Sequence, residues 1–483
     1  MAKSNAFAGY DADGNYCEIT GPAGAGRSDG GKKSLASRLA RYNIRTLNQR
    51  IVAAERELHN LGITFTVYSD AGAIDRILPF DPIPRQIEQA DWRRIEKGCK
   101  QRVTALNAFL TDVYGKQKIF KDDIIPKALV LGNKNYRKKM IGVKLPHNTY
   151  THISGVDLIR DEKGAFLVLE DNCRSPSGVS YVIENRHLMM RSFPDLMEGV
   201  KIEPVSNYGQ RLRETLRETA PGRFQDPRIV LLTPGVFNSA YFEHVFLARE
   251  MGVPLVEGRD LVVDEEDRVF MKTITGLERV HMIYRRIDDD FLDPEVFRKD
   301  SMLGVPGLMR ALIAGKVSIA NAVGTGVADD KAVYAYMPRI IKYYLDEEPV
   351  LDNVETWICR EKDALAYVLE HLEELVVKPV GESGGYGIVV GPKASKADIA
   401  NIRRALKKNP KNYIAQPMIN LSVCPTLTRN GLRARHVDLR PFVLTGKESW
   451  VLPGGLTRVA MREGSIIVNS SQGGGSKDTW VLR

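Results

Sequence analysis

Cysteine is scarce in this sequence, and no two cysteines are close together. Cys17, Cys99, Cys173, Cys359 and Cys424 are the only five in 483 residues, and none forms a CxxC pair. That spacing excludes a zinc ribbon and a dense disulfide framework, and it fits a reducing, cytoplasmic setting. Long apolar runs are missing too. No stretch of about 18 apolar residues occurs, so no membrane-spanning helix is expected. The opening MAKSNAFAGYDADGNY has no apolar stretch behind its lysine and does not read as a secretory signal. Nucleic-acid signatures are absent: there is no helix-turn-helix, RNA-binding or zinc-finger pattern. The net charge of +9 is dispersed, and its densest runs, Arg93-Arg94 and Arg137-Lys138-Lys139, are short. They read as solvated helix faces. The segment Gly26–Lys33 brushes against a phosphate-loop pattern but fails it, because Lys33 stands where Ser or Thr is needed and no strand precedes it.

What is present is a globular composition, 43% hydrophobic and 27% charged, sufficient for a full core and two or three domains. Residues 1–80 combine a Gly- and Ser-rich start, expected to be mobile at least in part over its first 35 residues, with a helix at 35–61 and the strand ITFTVY. Residues 81–225 hold a helix at 92–120, with Ile95, Val103, Leu106 and Leu110 on one side, and then a hairpin. Residues 226–300 run strand, helix, strand, as in a small doubly wound sheet. Residues 301–483 are largely helical to 375, with strands at 375–380, 387–390 and 413–416 and a β-rich tail. The class is α/β (α+β).

The hairpin carries the first chemistry. Its strands are 153–160 and 165–172. Pairing Arg160 with Ala165 sets Asp157 opposite Val168 and makes Asp157 and Glu170 diagonal neighbours, roughly 7 Å apart. Asn172 shares their face, because side chains alternate. Two carboxylates and an amide oxygen make a hard-oxygen set suited to Mg²⁺. Arg174 and the small-residue turn 175–178 follow at once. Further on, Leu375–Val380 is a strand with one lysine, Lys378, leading into the glycine-rich 381–387, which includes Gly384, Gly385 and Gly387. Such a loop can present N–H groups to phosphate oxygens. Lys331 follows two aspartates and, on its own, reads as a surface lysine paired with them.

Three weaker candidates have two readings each. Asn238, Ser239 and Tyr241 sit at a strand-to-helix turn where ligands gather on doubly wound sheets. Asn238 and Ser239 serve equally as helix caps. Arg285 and Arg286, followed by three aspartates, either grip a carboxylate and an amine or form a surface ion-pair cluster. The tail with Lys477 and Asp478 either lines a site or caps the fold.

The segments LEDNCRSPSGVSYVIENR, LTPGVFNSAYFEHVFLAREMGVPLVEGRDL, IYRRIDDDFLDP, NAVGTGVADDKAVYAYMP, VVKPVGESGGYGIVVGP, HVDLRPFVL and PGGLTRVAMREGSIIVNSSQGGGSKDTW together resemble the circularly permuted ATP-grasp type 2 family, related to glutathionylspermidine synthase. The resemblance runs from about residue 80 to the C-terminus. It implies an ATP-grasp fold with permuted motif order, plus a small α/β domain like those preceding ATP-grasp units. It implies ATP and Mg²⁺, two ions, as cofactors. Asp157, Glu170 and Asn172 take the metal positions. Lys331 and Lys378 take those of the ATP lysines, which reverses the surface reading of Lys331. Gly384, Gly385 and Gly387 match the phosphate-covering loop, and Gln416 lies where the hinge meets adenine. Arg174 and Arg440 match contacts to phosphate or an acyl intermediate. One departure is Gly155, where the synthases carry an arginine.

The activity so implied is joining a small-molecule or peptide carboxylate to an amine through an acyl phosphate, with no nucleic-acid or membrane partner. The alternatives are phosphoryl transfer to a hydroxyl and a non-catalytic ATP-binding partner protein, since one fold hosts several chemistries.

Overall fold

The computed structural model describes residues 6–7, 9–21, 30–60, 62–69, 72–222, 224–380, 387–465, 468 and 474–483. A ten-stranded mixed sheet organises the chain. Its main path orders the strands Asp352–Asn353, Phe166–Asn172, Ile153–Arg160, Gly431–Arg440, Leu456–Val459, Gly475–Val481 and Phe80–Ile87. Strands far apart in sequence are therefore neighbours, and the acidic hairpin lies against the last sixth of the chain.

The helix Gln89–Val113 covers one face of this sheet. Trp92, Ile95, Cys99 and Val103 pack there on Val156, Leu158, Val168 and Leu439. Their spacing is the 3.6-residue period meeting the two-residue period of a strand. The same face takes Asp171, which pairs with Arg102 of the helix at 2.6 and 2.8 Å. Alternation then turns Glu170 and Asn172 to the opposite face. There the helix Val179–Ser192 packs, its Val179, Val182 and Ile183 joining Phe442, Leu456 and Trp480.

The hairpin register differs from the sequence expectation. Arg160 pairs with Phe166, not Ala165, and Leu158 with Val168. Asp157 then lies directly opposite Glu170, and Gly155 opposite Asn172. Leu169 is the extra residue of a β-bulge. The turn is one residue longer than alternation suggests, with Asp161 Oδ1 accepting from Lys163 and Ala165 and Gly164 at φ 84°.

A four-stranded parallel sheet, ordered Ser318–Ala320, Met282–Arg285, Ile229–Leu232 and Leu255–Val256, forms the small doubly wound unit. It takes a strand from beyond residue 300, the expected boundary, because the 318–320 strand pairs in parallel with 282–284. Between the strands of this unit, Leu261–Val263, Val269–Thr273 and Gly276–Val280 form a three-stranded meander. An antiparallel sheet of Trp357–Ile358, Tyr413–Pro417, Leu375–Pro379 and Val389–Val390 carries Lys378 and Gln416.

The first residues are not all loose. Glu18 is buried and pairs with Arg85 at 2.7 Å, and Cys17 bridges to Val423. Gly26–Arg27-Ser28-Asp29 lie outside the described residues. All five cysteines are free and buried. Among the described residues, no helix is long and apolar enough to cross a membrane.

Candidate active site

Charges from both ends of the chain meet on the hairpin face turned away from the long helix. Asp157 is buried. Its carboxylate accepts from Arg440 Nε and Nη2 and from Arg458 Nη2, the last two at 2.8 and 2.7 Å. Burial alone would raise its pKa, but the two guanidinium groups outweigh that and hold it well below the usual carboxylate range. Arg458 in turn binds Asp438 at 2.9 Å. Arg440 lies over Gly155, where a Cβ would come within 3.1 Å of Arg440 Cδ. A guanidinium thus reaches Asp157 from position 440, past the glycine that stands at 155.

Glu170 faces a different partner. Lys331 Nζ lies 3.5 Å from Glu170 Oε2, across 161 positions of sequence. The aspartates flanking Lys331 are occupied elsewhere, contrary to the surface-pair reading. Asp330 caps the helix Lys331–Ala335, accepting from Ala332 and Val333. Asp329 accepts from Arg174 Nε and from the backbone N–H groups of Cys173 and Arg174. Lys378, half-buried, donates to Gln416 Oε1 at 2.5 Å, and Gln416 Nε2 donates to Thr356 at 2.9 Å. Burial, with Lys331 adding to it, pushes the Lys378 ammonium down to about 8, while Glu170 and Asp157 pull it back up. The acids of the hairpin and the lysines beyond residue 330 therefore share one electrostatic environment. Of the glycine loop, Gly384 and Gly385 lie outside the described residues. Gly387 is at φ 72°, with Pro379 Cγ 2.9 Å from where a Cβ would stand.

The fit to a hard cation follows from the donor count. A carboxylate has about four acceptor positions. Asp157 uses three, so one remains. Among the described residues Glu170 is tied by the 3.5 Å lysine contact, and Asn172 spends its amide N–H on Gly155 O at 3.4 Å, leaving Oδ1. Among the described residues, no three His, Cys, Asp or Glu side chains form a ready cage. Magnesium is normally held by one or two carboxylates plus phosphate oxygens and water, so this open oxygen set suits it.

Beside Asn172 opens a cleft of about 490 Å³, lined by Arg174, Ser177, Asn238, Ser239, Arg286 and Asp288 among others. Arg286 is buried and aligned by four groups: Glu243, Ser177 Oγ, Pro176 O and the Tyr284 hydroxyl. Its Nε has no partner among the described residues. Glu243 also accepts from Gly178 and Ser180 at the N-terminus of the helix Val179–Ser192, so one carboxylate fixes both that helix end and Arg286. His244, also lining the cleft, is pushed down to about 2 by burial and by Arg286, and is neutral.

The remaining sequence candidates divide. Asn238 and Ser239 line the cleft but do not cap the helix, whose N-cap is Ala240. Asn238 Oδ1 instead closes a local turn with Ala240 N at 2.9 Å. Tyr241 is not among the cleft residues; its ring stands edge-on to His244. Arg285 is buried in the small unit, bonded to Asn321 O, Ile287 O and Asp289, and is structural. Its position in an inward-facing strand reverses it relative to Arg286. Lys477 and Asp478 are buried in the central sheet, paired with Asp81 and Arg186, so these two residues do not line the cleft.

Sequence reasoning missed Asn321, Asp329, Arg458 and Glu243. Asn321 binds both hairpin strands together, accepting from His152 and Ile153 N–H and donating to Ile153 and Cys173 O. Asp329 was the findable one, since a charged residue beside a candidate lysine invites a search for its partner.

Comparison with known proteins addresses the family and the fold. The family described as circularly permuted ATP-grasp type 2 matches residues 84–460. An uncharacterized protein of Synechocystis sp. is 56% identical over 438 residues, 90% of this chain and 91% of that protein. A Frankia casuarinae protein named "Putative glutamate--cysteine ligase 2-2" is 41% identical over 97% of this chain, which spans 54% of that longer protein. A glutathione synthetase-like effector of Globodera pallida, in apo form, has the same fold with TM-score 0.60 at 10% identity, covering 92% of this chain and 98% of that one. Because the family match runs from before Asp157 to past Arg458 and so takes in both halves of the charged cluster, the chain belongs to the circularly permuted ATP-grasp type 2 family.

Proposed function

We propose that the protein is an ADP-forming carbon–nitrogen ligase that joins a carboxylate to an amine. The observation that carries this reading is the 3.5 Å approach of Lys331 to Glu170, which makes one cluster of the hairpin oxygens and the distant lysines beside a cationic cleft. Lys331 and Lys378 hold the triphosphate of ATP as point charges. A magnesium ion on Glu170, Asn172 and the remaining acceptor position of Asp157 would neutralise charge between the phosphates and the incoming carboxylate. Arg440, paired with Asp157 through Nε and Nη2, keeps a guanidinium beside the metal-binding oxygens. Gln416 fixes the Lys378 ammonium and borders the adenine position.

Arg174, with the fixed positive charge of Arg286 beside it, draws the substrate carboxylate into the cleft that both residues line. The carboxylate attacks the γ-phosphorus, ADP leaves, and an acyl phosphate forms. The amine, oriented near Asp288, then attacks the acyl carbon, and phosphate departs. Catalysis is positioning and electrostatic stabilisation in a site where the donors are already fixed. The Frankia relative's name, "Putative glutamate--cysteine ligase 2-2", names a ligase of two amino acids, and a cleft of about 490 Å³ accommodates substrates of that size.

The test is ADP release with pooled carboxylates and amines, repeated with hydroxylamine in place of the amine. Hydroxamate formation supports the acyl phosphate. ADP release with a phosphorylated hydroxyl product and no hydroxamate contradicts it in favour of a kinase.

A further inference from the structure

A second groove, of about 980 Å³, runs between the C-terminal half of the helix Gln89–Val113, the 142–150 loop and the turn 445–449. Lys116, Lys118, Lys144 and Lys447 line it and are exposed. Among the described residues, none of the four has an ion-pair partner. The groove's own acids do not balance them. Asp112, which accepts from Lys118 N, Ile119 N and the Tyr344 hydroxyl at 3.0, 2.9 and 2.8 Å, and Glu448 are the acids on its walls, and the four lysines outnumber them. The result is a trough with an excess of positive charge, which attracts and orients an anion.

The chemistry of the walls narrows the occupant. The cations are all lysines, with no arginine among the lining residues. Arginine is the residue favoured for bidentate contacts to carboxylate and phosphate alike, so these lysines act as separate point charges spaced along the trough. Tyr114 and Tyr150 are buried and stacked on each other, with ring centroids 5.5 Å apart, so they offer no platform to bases. Polar groups such as Thr104 and Asn148 on the walls suit an extended backbone. The groove sits at the start of the strand that carries Asp157, roughly 20 Å along the chain from it at ~3.3 Å per residue. An occupant there lies beside the nucleotide cluster and outside it.

We propose that this groove docks an acidic protein segment, a stretch of Asp- and Glu-rich chain from a partner. The full chain is tested by fluorescence anisotropy with a labelled oligoglutamate peptide, a matched oligoglutamine peptide, and an RNA oligonucleotide. The acidic peptide binds and the neutral one does not, and binding weakens by about tenfold or more between roughly 50 and 200 mM salt. Changing Lys116, Lys118, Lys144 and Lys447 together to Gln weakens it by at least about tenfold. The control changes Lys396, Lys407, Lys408 and Lys411 to Gln, removing the same charge from another surface, and leaves binding within about twofold. If the groove variant melts early, the pair Lys144→Gln and Lys447→Gln replaces it, with a loss of about threefold. The proposal is overturned by no binding at low salt, by equal loss in the groove and control variants, or by RNA binding more tightly than peptide through the same four lysines.

Discussion

At one edge of the central sheet, Lys477, Asp81, Arg85 and Glu18 are buried, and each finds a full set of partners. Lys477 Nζ spends its three donors on Asp81, Ile83 O and Pro425 O, and Arg85 bridges Glu18 and Asp438 O. Further across the same sheet, Glu170 and Lys378 are less completely matched: among the described residues, a 3.5 Å approach of Lys331 to Glu170 and one bond from Lys378 to Gln416 are the contacts made there. The residue types are the same in the two regions. The difference is saturation. A closed set of charges has no capacity left for a ligand, whereas an open set keeps lone pairs and protons in reserve. Asp157 stands between, with three of its acceptor positions filled from Arg440 and Arg458.

Breaking the closed set should cost most in stability. Asp81→Ala leaves Lys477 buried and unpaired, and a loss of about 3–5 kcal/mol in urea unfolding is expected. A loss under about 1 kcal/mol would erase the distinction between the two regions.

Breaking the open set should cost activity and little stability. Glu170→Gln is expected to lower ADP release by at least about 100-fold, with unfolding free energy within about 0.5 kcal/mol of the parent. Unchanged turnover would remove Glu170 from the site.

Lys378 sharpens the comparison through pH. Its ammonium is held down to about 8 in the free protein. Binding of a triphosphate favours the charged form and raises that pKa. Nucleotide affinity should therefore be full below about 8 and fall as pH rises through it, by up to about tenfold per pH unit. Lys378→Arg should flatten the profile and Lys378→Ala should weaken affinity about tenfold at neutral pH, both read by calorimetry. A flat profile in the parent protein would contradict this role.

The smallest effects separate the inside of the cleft from its surroundings. Arg286→Lys should raise KM for the carboxylate about tenfold, because an ammonium cannot keep the four bonds that fix the cation at the cleft wall, whereas Tyr241→Phe should stay within about twofold. Equal effects would mean the cleft is not where the substrate lies.

Much of this arrangement could be read from the sequence. The hairpin, the shared face of Asp157, Glu170 and Asn172, the strand lysine and the small parallel sheet follow from alternation, strand length and turn residues. The register did not, because a single bulge at Leu169 is invisible to a two-residue period. Nor did the pairing of Arg440 and Arg458 with Asp157, which depends on strands 283 and 301 positions away becoming neighbours. Arg285 and Arg286 are adjacent and chemically alike, yet one is structural and the other faces the cleft. Only the direction of the strand separates them.

The most direct test is the anomalous signal of Mn²⁺ in crystals grown with a non-hydrolysable ATP analogue. The metal should lie within roughly 2.0–2.4 Å of oxygens from Glu170 and Asn172, with the β- and γ-phosphates between it and the ammonium groups of Lys331 and Lys378. A nucleotide and metal bound elsewhere, with the Lys331–Glu170 contact undisturbed, would contradict the single shared site.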